Sequence, residues 1–311
     1  MHRFGVSVLT IAAAIIGVTS SGRAEPFDWQ PVTAQDKSAL STAVVVSTEA
    51  QIPLYACRAT VGSGLHPGRF RKDFTGCHIG YGGQELSVMP FEILALTWQT
   101  GAEGSIPKGS LDAGHRVQPG LLSQFGLSAL HPCRTMYQES LQVGEVARGD
   151  IGCSFGFGGR QVTETKYQVL WGAPWMTWVT GIPHQVPSDA LVGGVEGGEN
   201  FYICRAVDRH GLHPGKIKSS SAGCSIASDG REIVSPQFSL LVPRWLPGNS
   251  GTIPLVALPA GQDKNDLLFL CRAQIKDTMQ IGRITDASAA CRVGMLGGEI
   301  TSQAYDVLSE W

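Results

Sequence analysis

The stretch LYACRATVGSGLHPGRFRKDFTGCHIGYGG, residues 54–83, decides the fold because its pattern recurs four times along the 311-residue chain. Each copy holds two cysteines with nineteen residues between them, and the first cysteines of successive copies lie 76, 71 and 67 residues apart. A spacing that recurs at this period indicates tandem repeats. The eight cysteines are Cys57, Cys77, Cys133, Cys153, Cys204, Cys224, Cys271 and Cys291.

Other residues keep the same register in all four copies. An arginine follows the first cysteine, a glycine stands eleven positions after that cysteine, and another glycine stands six positions after the second. Eight positions after the second cysteine the residue is glutamate, or glutamine in copy two. These positions are occupied by Arg58, Arg134, Arg205 and Arg272; by Gly68, Gly144, Gly215 and Gly282; by Gly83, Gly159, Gly230 and Gly297; and by Glu85, Gln161, Glu232 and Glu299.

The composition predicts an all-β protein. Residues 54–60 and 86–96 are rich in aliphatic, aromatic and β-branched side chains and are bounded by glycine or proline, as strands are. The chain has 39 glycines and 17 prolines, which suit many tight turns, and it has no long helical periodicity. We therefore expect about four short strands in each repeat.

The repeats alternate in sequence, and this predicts how they group. Copies one and three share Gly-Leu-His-Pro-Gly, whereas copies two and four carry Gln-Val-Gly or Gln-Ile-Gly at the end of this segment. A two-repeat unit that was later duplicated explains the alternation. Since one face of a sheet must be covered, we expect the four repeats to pair into two antiparallel β-sandwich or barrel-like units. These would be residues 25–172, holding repeats one and two, and residues 173–311, holding repeats three and four.

The first residues have the pattern of an export signal. Arg3 is followed by an uncharged apolar run over residues 4–18, and Gly22-Arg23-Ala24 resembles a cleavage site. Residues 1–24 are thus predicted to be a signal peptide cleaved near Ala24, and the mature chain to be secreted or periplasmic. An anchor helix that stays attached is the alternative. No other segment is long and apolar enough to predict a membrane span.

The cysteines predict one disulfide in each repeat. An even number of cysteines in an exported chain indicates disulfides, and the repeat pairs 57–77, 133–153, 204–224 and 271–291. In the chain-entropy model each disulfide stabilises the folded state by roughly 3 kcal/mol because it closes a loop of the unfolded chain. A zinc site is the alternative, but it needs ligands at short spacing such as Cys-x-x-Cys, which the chain lacks. We expect no metal and no cofactor.

Four pairs of oppositely charged residues occupy corresponding positions of the repeats. One member precedes the first cysteine and the other directly follows the glycine after it. Such pairs are either surface salt bridges, which contribute about 0–1 kcal/mol each, or polar clamps that bind sugar hydroxyls through charge-assisted hydrogen bonds. The pairs are Glu49 with Arg69, Arg116 with Glu145, Glu196 with Lys216, and Asp263 with Arg283, and copy two has the signs exchanged.

The remaining motifs predict structural roles. The recurring arginine after the first cysteine and the Glu85 position are interpreted as a structural ion pair. Trp29, Trp98, Trp178 and Trp245 are interpreted as core anchors, with a sugar-stacking face as the alternative. No nucleophile elbow, Walker motif or dinucleotide fingerprint is present, so no enzyme is predicted, although paired carboxylates for glycoside hydrolysis stay open. Nucleic acid is excluded as a partner because no basic tract occurs and the net charge is −2.

The repeat resembles the DM-nine repeat. The resemblance rests on Leu-Tyr-Ala-Cys-Arg-Ala at residues 54–59, His-Pro-Gly-Arg at 66–69, Gly-Cys-His-Ile-Gly-Tyr-Gly-Gly-Gln-Glu at 76–85 and Phe-Glu-Ile-Leu at 91–94. Copy three repeats this pattern at residues 201–206 and 213–216, and copies two and four stay in register. The similarity covers nearly all of the chain after residue 24.

The resemblance implies an all-β fold and a lectin-like function. Its relatives include mannose-binding lectins of invertebrates and the lectin-like part of natterin-type proteins. It implies mannose binding by Glu196 and Lys216, with further candidates at Glu49 and Arg69 and at Asp263 and Arg283, whereas the exchanged signs of Arg116 and Glu145 put a site there in doubt. The predicted function is a secreted, non-enzymatic carbohydrate-binding protein for mannose-type glycans. A structural or protein-interaction module is the alternative, and a glycan hydrolase is a third.

Overall fold

The computed structural model describes residues 27–117, 126–288 and 290–310, and these residues form strands joined by turns. A single short 3-10 turn, Ser38–Ser41, is the one helical element of the described ranges. The predicted signal peptide, residues 1–24, lies outside the described residues. None of the described residues forms a helix long and apolar enough to cross a membrane.

Each repeat forms seven strands, more than the four that the sequence predicted, because short strands flank the cysteine-bearing ones. Repeat one holds β1 (Trp29–Val32), β2 (Val45–Glu49), β3 (Ile52–Val61), β4 (Gly64–Phe70), β5 (Cys77–Tyr81), β6 (Gln84–Val88) and β7 (Phe91–Leu94). Repeat two holds β8 (Trp98–Ala102), β9 (Gly114–Val117), β10 (Leu127–Tyr137), β11 (Ser140–Val146), β12 (Cys153–Phe157), β13 (Arg160–Glu164) and β14 (Lys166–Leu170). Repeat three holds β15 (Met176–Thr180), β16 (Val192–Glu196), β17 (Glu199–Asp208), β18 (Gly211–Ile217), β19 (Cys224–Ser228), β20 (Arg231–Ser235) and β21 (Phe238–Pro243). Repeat four holds β22 (Trp245–Asn249), β23 (Pro259–Asp263), β24 (Asp266–Ile275), β25 (Thr278–Ile284), β26 (Cys291–Met295), β27 (Gly298–Ser302) and β28 (Ala304–Leu308).

All four repeats share one antiparallel topology. In repeat one the strands follow the order β1-β7-β3-β4-β5-β6, and β2 pairs with β3. The glycine eleven positions after the first cysteine lets the fourth and fifth strands approach closely. A Cβ atom on Gly68 would lie 2.3 Å from the carbonyl oxygen of His78, and the corresponding glycines of the other repeats are as crowded. A side chain at this position would force these strands apart, which explains why each repeat has glycine here.

The repeats pair one with four and two with three. Strand β6 pairs with β27 and β23 pairs with β4, which joins repeats one and four. Strands β13 and β20, β9 and β18, and β11 and β16 join repeats two and three in the same way. Each pair of repeats forms a closed eight-stranded barrel, which confirms the prediction of two barrel-like units.

The predicted grouping of consecutive repeats, residues 25–172 and 173–311, is therefore wrong. The alternation of odd and even copies correctly indicates that each barrel contains one of each kind. It does not distinguish the pairing of repeat one with repeat two from its pairing with repeat four, because both combine an odd copy with an even one.

A reciprocal clamp joins the two repeats of each barrel. The Glu85 carboxylate accepts a hydrogen bond of 2.8 Å from the backbone N–H of Gly297, and Glu299 accepts one of 3.1 Å from Gly83. In the other barrel Glu232 accepts from Gly159 and Gln161 accepts from Gly230. The four glycines occupy the turn between the fifth and sixth strands, with φ between 75° and 82°. This left-handed conformation favours glycine, since other residues are strained in it.

The clamp corrects one structural prediction. The Arg58 position does not form an ion pair with the Glu85 position. Arg58 donates through Nε to the Glu92 carboxylate at 2.6 Å, and its guanidinium stacks on Trp29 at 4.7 Å. The arginine thus holds its own repeat's first and seventh strands together, while Glu85 bonds the partner repeat.

The four predicted disulfides are present, and all eight cysteines are fully buried. Each bond joins the third strand of its repeat to the start of the fifth and lies within an apolar cluster of that repeat. Four buried disulfides indicate an oxidising, extracellular type of compartment.

A fifth apolar cluster contains residues of all four repeats. Val46, Val143, Ile203 and Leu270 belong to this central core, which connects the two barrels. Trp29 lies within this core, and Trp98, Trp178 and Trp245 pack against it. Each of these four tryptophans carries an arginine over its ring at 4.3–4.8 Å. Because an arginine of the same repeat occupies a ring face, the tryptophans serve as core anchors.

The repeat pairing predicts which engineered cysteines cross-link. Gln84 and Gly298 are directly opposite in neighbouring strands, as are Arg160 and Arg231. We expect the double variant Gln84→Cys/Gly298→Cys to form a fifth disulfide because paired cysteines on adjacent strands meet the geometric requirement. Peptide mapping under non-reducing conditions would detect it. The mismatched variant Gln84→Cys/Arg160→Cys should keep two free thiols, and a cross-link between those residues would contradict the pairing.

Candidate functional site

Each repeat places its predicted charged pair where the two repeats of a barrel meet. In repeat one, Glu49 ends β2 and Arg69 lies on β4, directly after Gly68. A side chain from the partner repeat reaches between them, and it is Gln280 in this case. We name the four assemblies after the repeat that supplies the charged pair: cluster one (Glu49, Arg69, Gln280), cluster two (Arg116, Glu145, His213), cluster three (Glu196, Lys216, Gln142) and cluster four (Asp263, Arg283, His66).

Cluster one is closed because its own groups satisfy its cation. Arg69 is 3% exposed and donates to the Gly294 carbonyl at 2.8 Å, to Gln280 Oε1 at 2.8 Å and to Glu85 at 3.1 Å. Glu49 lies 3.5 Å from the same guanidinium. The predicted Glu49–Arg69 pair therefore exists as part of a network in which the protein bonds every nitrogen of the Arg69 guanidinium.

Cluster two is also filled from within, by a buried histidine between two carboxylates. His213 Nδ1 lies 2.9 Å from Glu145 and Nε2 lies 3.0 Å from Asp208, and all three side chains are nearly inaccessible to solvent. Burial raises the pKa of Glu145. Burial alone would lower the pKa of His213, but its hydrogen bond to Glu145 and the charges of Glu145 and Asp208 raise it. Arg116 bonds Asp150 instead of its predicted partner Glu145.

Cluster three is open to solvent through a pocket of about 370 Å³. Lys216 lies at its base, 5% exposed, and its ammonium donates to Gln142 Oε1. Three aromatic rings surround this ammonium, with Phe201 closest at 4.6 Å. The other two rings are those of Phe155 and Phe157.

Two carboxylates flank the pocket of cluster three. Glu196 accepts from Gln142 at 3.2 Å and forms an ion pair with Lys218 at 2.8 Å. Glu232 accepts from Ser225 at 2.5 Å on the other side. Neither carboxylate forms an ion pair with Lys216 within the described ranges, so the predicted Glu196–Lys216 pair is bridged by Gln142 instead of being direct.

Burial controls the ionisation of the Lys216 ammonium. Burial lowers the pKa of Lys216 to about 8, against the opposing effect of the charges on Glu232 and Glu196. The hydrogen bond from Lys218 lowers the pKa of Glu196, so this carboxylate stays ionised. The pocket therefore offers an incompletely bonded ammonium beside an anionic acceptor, next to apolar ring surface. That combination suits a polyhydroxylated ligand with one apolar face.

Cluster four is intermediate between the closed and the open clusters. Arg283 donates to the Gly80 carbonyl at 2.9 Å and to Glu299 at 3.3 Å, much as Arg69 does in cluster one. Asp263 keeps its carboxylate partly exposed and lies 3.8 Å from Nε2 of His66. The predicted Asp263–Arg283 pair is not a direct ion pair among the described residues.

Sequence reasoning found the charged positions but missed the residues that complete cluster three. Gln142 comes from the partner repeat, and Phe157 and Lys218 lie outside the predicted pairs. One signal did mark Gln142: the alternation of histidine and glutamine between odd and even copies. The aromatic at position 157 has no equivalent in copies three and four, so the repeat pattern could not mark it.

One comparison with known protein families identifies the repeat. The family model of the DM9 repeat matches residues 48–121, 126–235 and 196–302. Among curated proteins, none matches this chain. Among solved structures, the chain is similar to the nematode sperm cell motility protein MFP2B, with 10% identity, a TM-score of 0.20, and coverage of 92% of this chain and 98% of that one.

The environment of cluster three predicts that Lys216 and Lys218 have different pKa values. Lys216 should titrate near pH 8 because burial disfavours its ammonium, whereas Lys218 should titrate above the ordinary lysine pKa because Glu196 holds its proton. NMR of the lysine ε-carbons as a function of pH would measure both, with Lys216→Met assigning the signal. Titration of every lysine above pH 10 would contradict the buried position of Lys216.

Proposed function

The chain belongs to the DM9 repeat family, and we propose that it is a non-enzymatic binding protein that holds mannose-type glycans in the pocket of cluster three. The observation that carries this proposal is the environment of Lys216. Its ammonium is buried without a direct carboxylate partner in the described structure and opens on a pocket of about 370 Å³. A buried charge without a counter-ion costs stability, so its position is better explained by a ligand than by folding.

The chemistry of the pocket matches a hexose. Of the three N–H donors of an ammonium, one bonds Gln142, which leaves two for ring or hydroxyl oxygens of a sugar. Glu196 would accept from a neighbouring hydroxyl, and Phe157 would contact the apolar C–H face of the ring. The resemblance to mannose-binding relatives names the same two charged residues, Glu196 and Lys216.

The other clusters differ in what they leave free. Cluster one has its cation fully bonded, and cluster two is occupied by His213. Cluster four retains a partly exposed Asp263 carboxylate beside His66, and the ring of Tyr81, which is 36% exposed, packs on that histidine. We therefore assign the principal site to cluster three, a weaker second site to Asp263 and Arg283, and structural roles to Glu49 and Arg69.

Catalysis of glycan hydrolysis has no support in the open pocket. Such a reaction needs a carboxylic acid that stays protonated, which requires a raised pKa. The pKa of Glu196 is lowered instead. The carboxyl of Glu145 does have a raised pKa, but it is buried against His213 and is not accessible to a glycan. The binding module is thus the function that the geometry favours, and the predicted export signal and disulfides suit a protein secreted to meet external glycans.

Titration calorimetry of the mature protein with mannose and mannose oligomers tests this function. We expect binding close to one site per chain and its loss in the double variant Glu196→Ala/Lys216→Ala. The matched variant Glu49→Ala, in closed cluster one, should keep the affinity of the wild type. Absence of binding by the folded protein, followed by silence on a broad glycan array, would contradict the proposal and leave a structural or protein-interaction module.

A second experiment separates a binding role of Lys216 from a structural one. The variant Lys216→Met replaces a desolvated ammonium with an apolar chain that packs well on aromatic rings, which offsets the loss of its one hydrogen bond to Gln142, so we expect the melting temperature to change little. Mannose binding should nevertheless disappear. In contrast, Arg69→Met should cost about 3–5 kcal/mol of unfolding free energy, since it leaves buried partners unpaired. A large loss of stability in Lys216→Met would indicate a structural lysine.

A further inference from the structure

A second pocket, also of about 370 Å³, lies where repeat one meets repeat two. Arg134 and Trp98 of repeat two form one side of it, and residues 28–42 of repeat one form the other. This junction pocket uses none of the residues of the four clusters. Its arginine belongs to the set that follows the first cysteine of each repeat and stacks on a tryptophan.

Among the four arginines of this set, Arg272 of repeat four has two carboxylate partners, Arg58 pairs with Glu92, and Arg205 forms no ion pair within the described ranges. The Nε of Arg272 donates to the Asp306 carboxylate at 2.9 Å, and its Nη1 donates to Asp189 of repeat three at 3.0 Å. Two carboxylates thus neutralise one half-buried guanidinium. Asp306 lies 35 positions after the first cysteine of its repeat. Asp189 lies in the preceding repeat, two positions before Leu191, and the residues that correspond to Leu191 in the other repeats are Val44, Leu111 and Leu258.

Arg134 has neither carboxylate. Position 168, which corresponds to Asp306, is glutamine, and Gln168 Oε1 accepts from Arg134 Nε at 2.8 Å. Position 42, which corresponds to Asp189, is threonine, and Thr42 lines the junction pocket. Within the described ranges Arg134 forms no ion pair. Burial lowers the pKa of Arg134 to about 10, which reflects the uncompensated charge.

A guanidinium that is desolvated and unpaired attracts a carboxylate, because the planar fork of arginine matches a carboxylate through two parallel hydrogen bonds. The rest of the lining narrows the class of ligand. Asp28, Gln30, Asp36 and Ser38 surround the pocket with oxygen acceptors and hydroxyl or amide donors. The two aspartates disfavour a dianion such as phosphate, but they can accept hydrogen bonds from hydroxyl groups.

We propose that the junction pocket binds a hexuronate, an acidic sugar whose carboxylate pairs with Arg134 in the place that Asp189 and Asp306 take on Arg272. The hydroxyl groups of the sugar bond Asp28 and Gln30. The site is independent of cluster three, so the protein recognises a neutral and an acidic sugar at separate places.

The substitution Thr42→Asp tests the proposal by supplying the missing carboxylate from within the chain. NMR titration or calorimetry with D-glucuronate and D-galacturonate should detect binding to the wild type and a reduction of roughly tenfold or more in Thr42→Asp, since a charge-assisted hydrogen bond is worth about 1.5–3 kcal/mol. Glucose, which has the same ring without the carboxylate, should bind at least tenfold more weakly than glucuronate. The melting temperature of Thr42→Asp should not fall, because the new carboxylate compensates Arg134.

Two further variants keep the test decisive. Arg134→Gln should lose hexuronate binding, whereas Glu196→Ala/Lys216→Ala should keep it and lose mannose binding alone. The proposal is overturned if the wild type binds neither hexuronate, or if Thr42→Asp binds them as the wild type does. Loss of hexuronate binding only in the cluster three variant would place the acidic sugar in that pocket and would equally overturn the junction site. Failure of mannose binding with hexuronate binding intact would contradict the proposed function alone.

Discussion

The reciprocal hydrogen bonds between the turns of paired repeats are the constraint on which the rest of the structure depends. Glu85 caps the turn at Gly297, and Glu299 caps the turn at Gly83. Because each repeat gives one side-chain acceptor and one turn, the contact closes only when two repeats meet in a two-fold arrangement. That arrangement turns two open antiparallel sheets into one closed barrel and removes exposed strand edges, which would otherwise invite aggregation.

The same arrangement builds every cluster from two repeats. A charged pair and its hairpin come from one repeat, and the glutamine or histidine that orders them comes from the other. Recognition by any cluster therefore requires the barrel to be closed. The central core extends this dependence to the whole chain, since apolar residues of all four repeats share it. A ligand at cluster three would in turn stabilise the barrel that forms it.

The sequence allowed the repeat, the strand class, the disulfides and the charged positions to be predicted, because each of these is local or recurs at a fixed interval. The contacts between repeats could not be predicted from the sequence. Arg58 and Glu85 both recur, and recurrence suggested that they pair, yet each bonds a different neighbour. The sequence also did not indicate which repeat pairs with repeat one. Odd and even copies complement each other in any combination, and the choice depends on how the chain crosses between barrels around the shared core.

One substitution on this common frame distinguishes cluster three from clusters one and four. In clusters one and four the cation is arginine, whose Nε reaches the carbonyl of the partner's fifth strand, at Gly294 or Gly80, while Nη2 bonds a glutamate. The arginine guanidinium is long and planar enough to donate hydrogen bonds to several acceptors at once. Lysine is a compact charge, and Lys216 reaches Gln142 alone.

The change from arginine to lysine therefore leaves ammonium donors that the protein does not bond, and three phenylalanine rings lie around them. In the junction pocket the cation is an arginine, Arg134, but residues 42 and 168 are threonine and glutamine where Arg272 has two aspartates. In our proposals a ligand completes the bonding of the Lys216 ammonium and of the Arg134 guanidinium, where Arg69, Arg283 and Arg272 are bonded by groups of the protein itself.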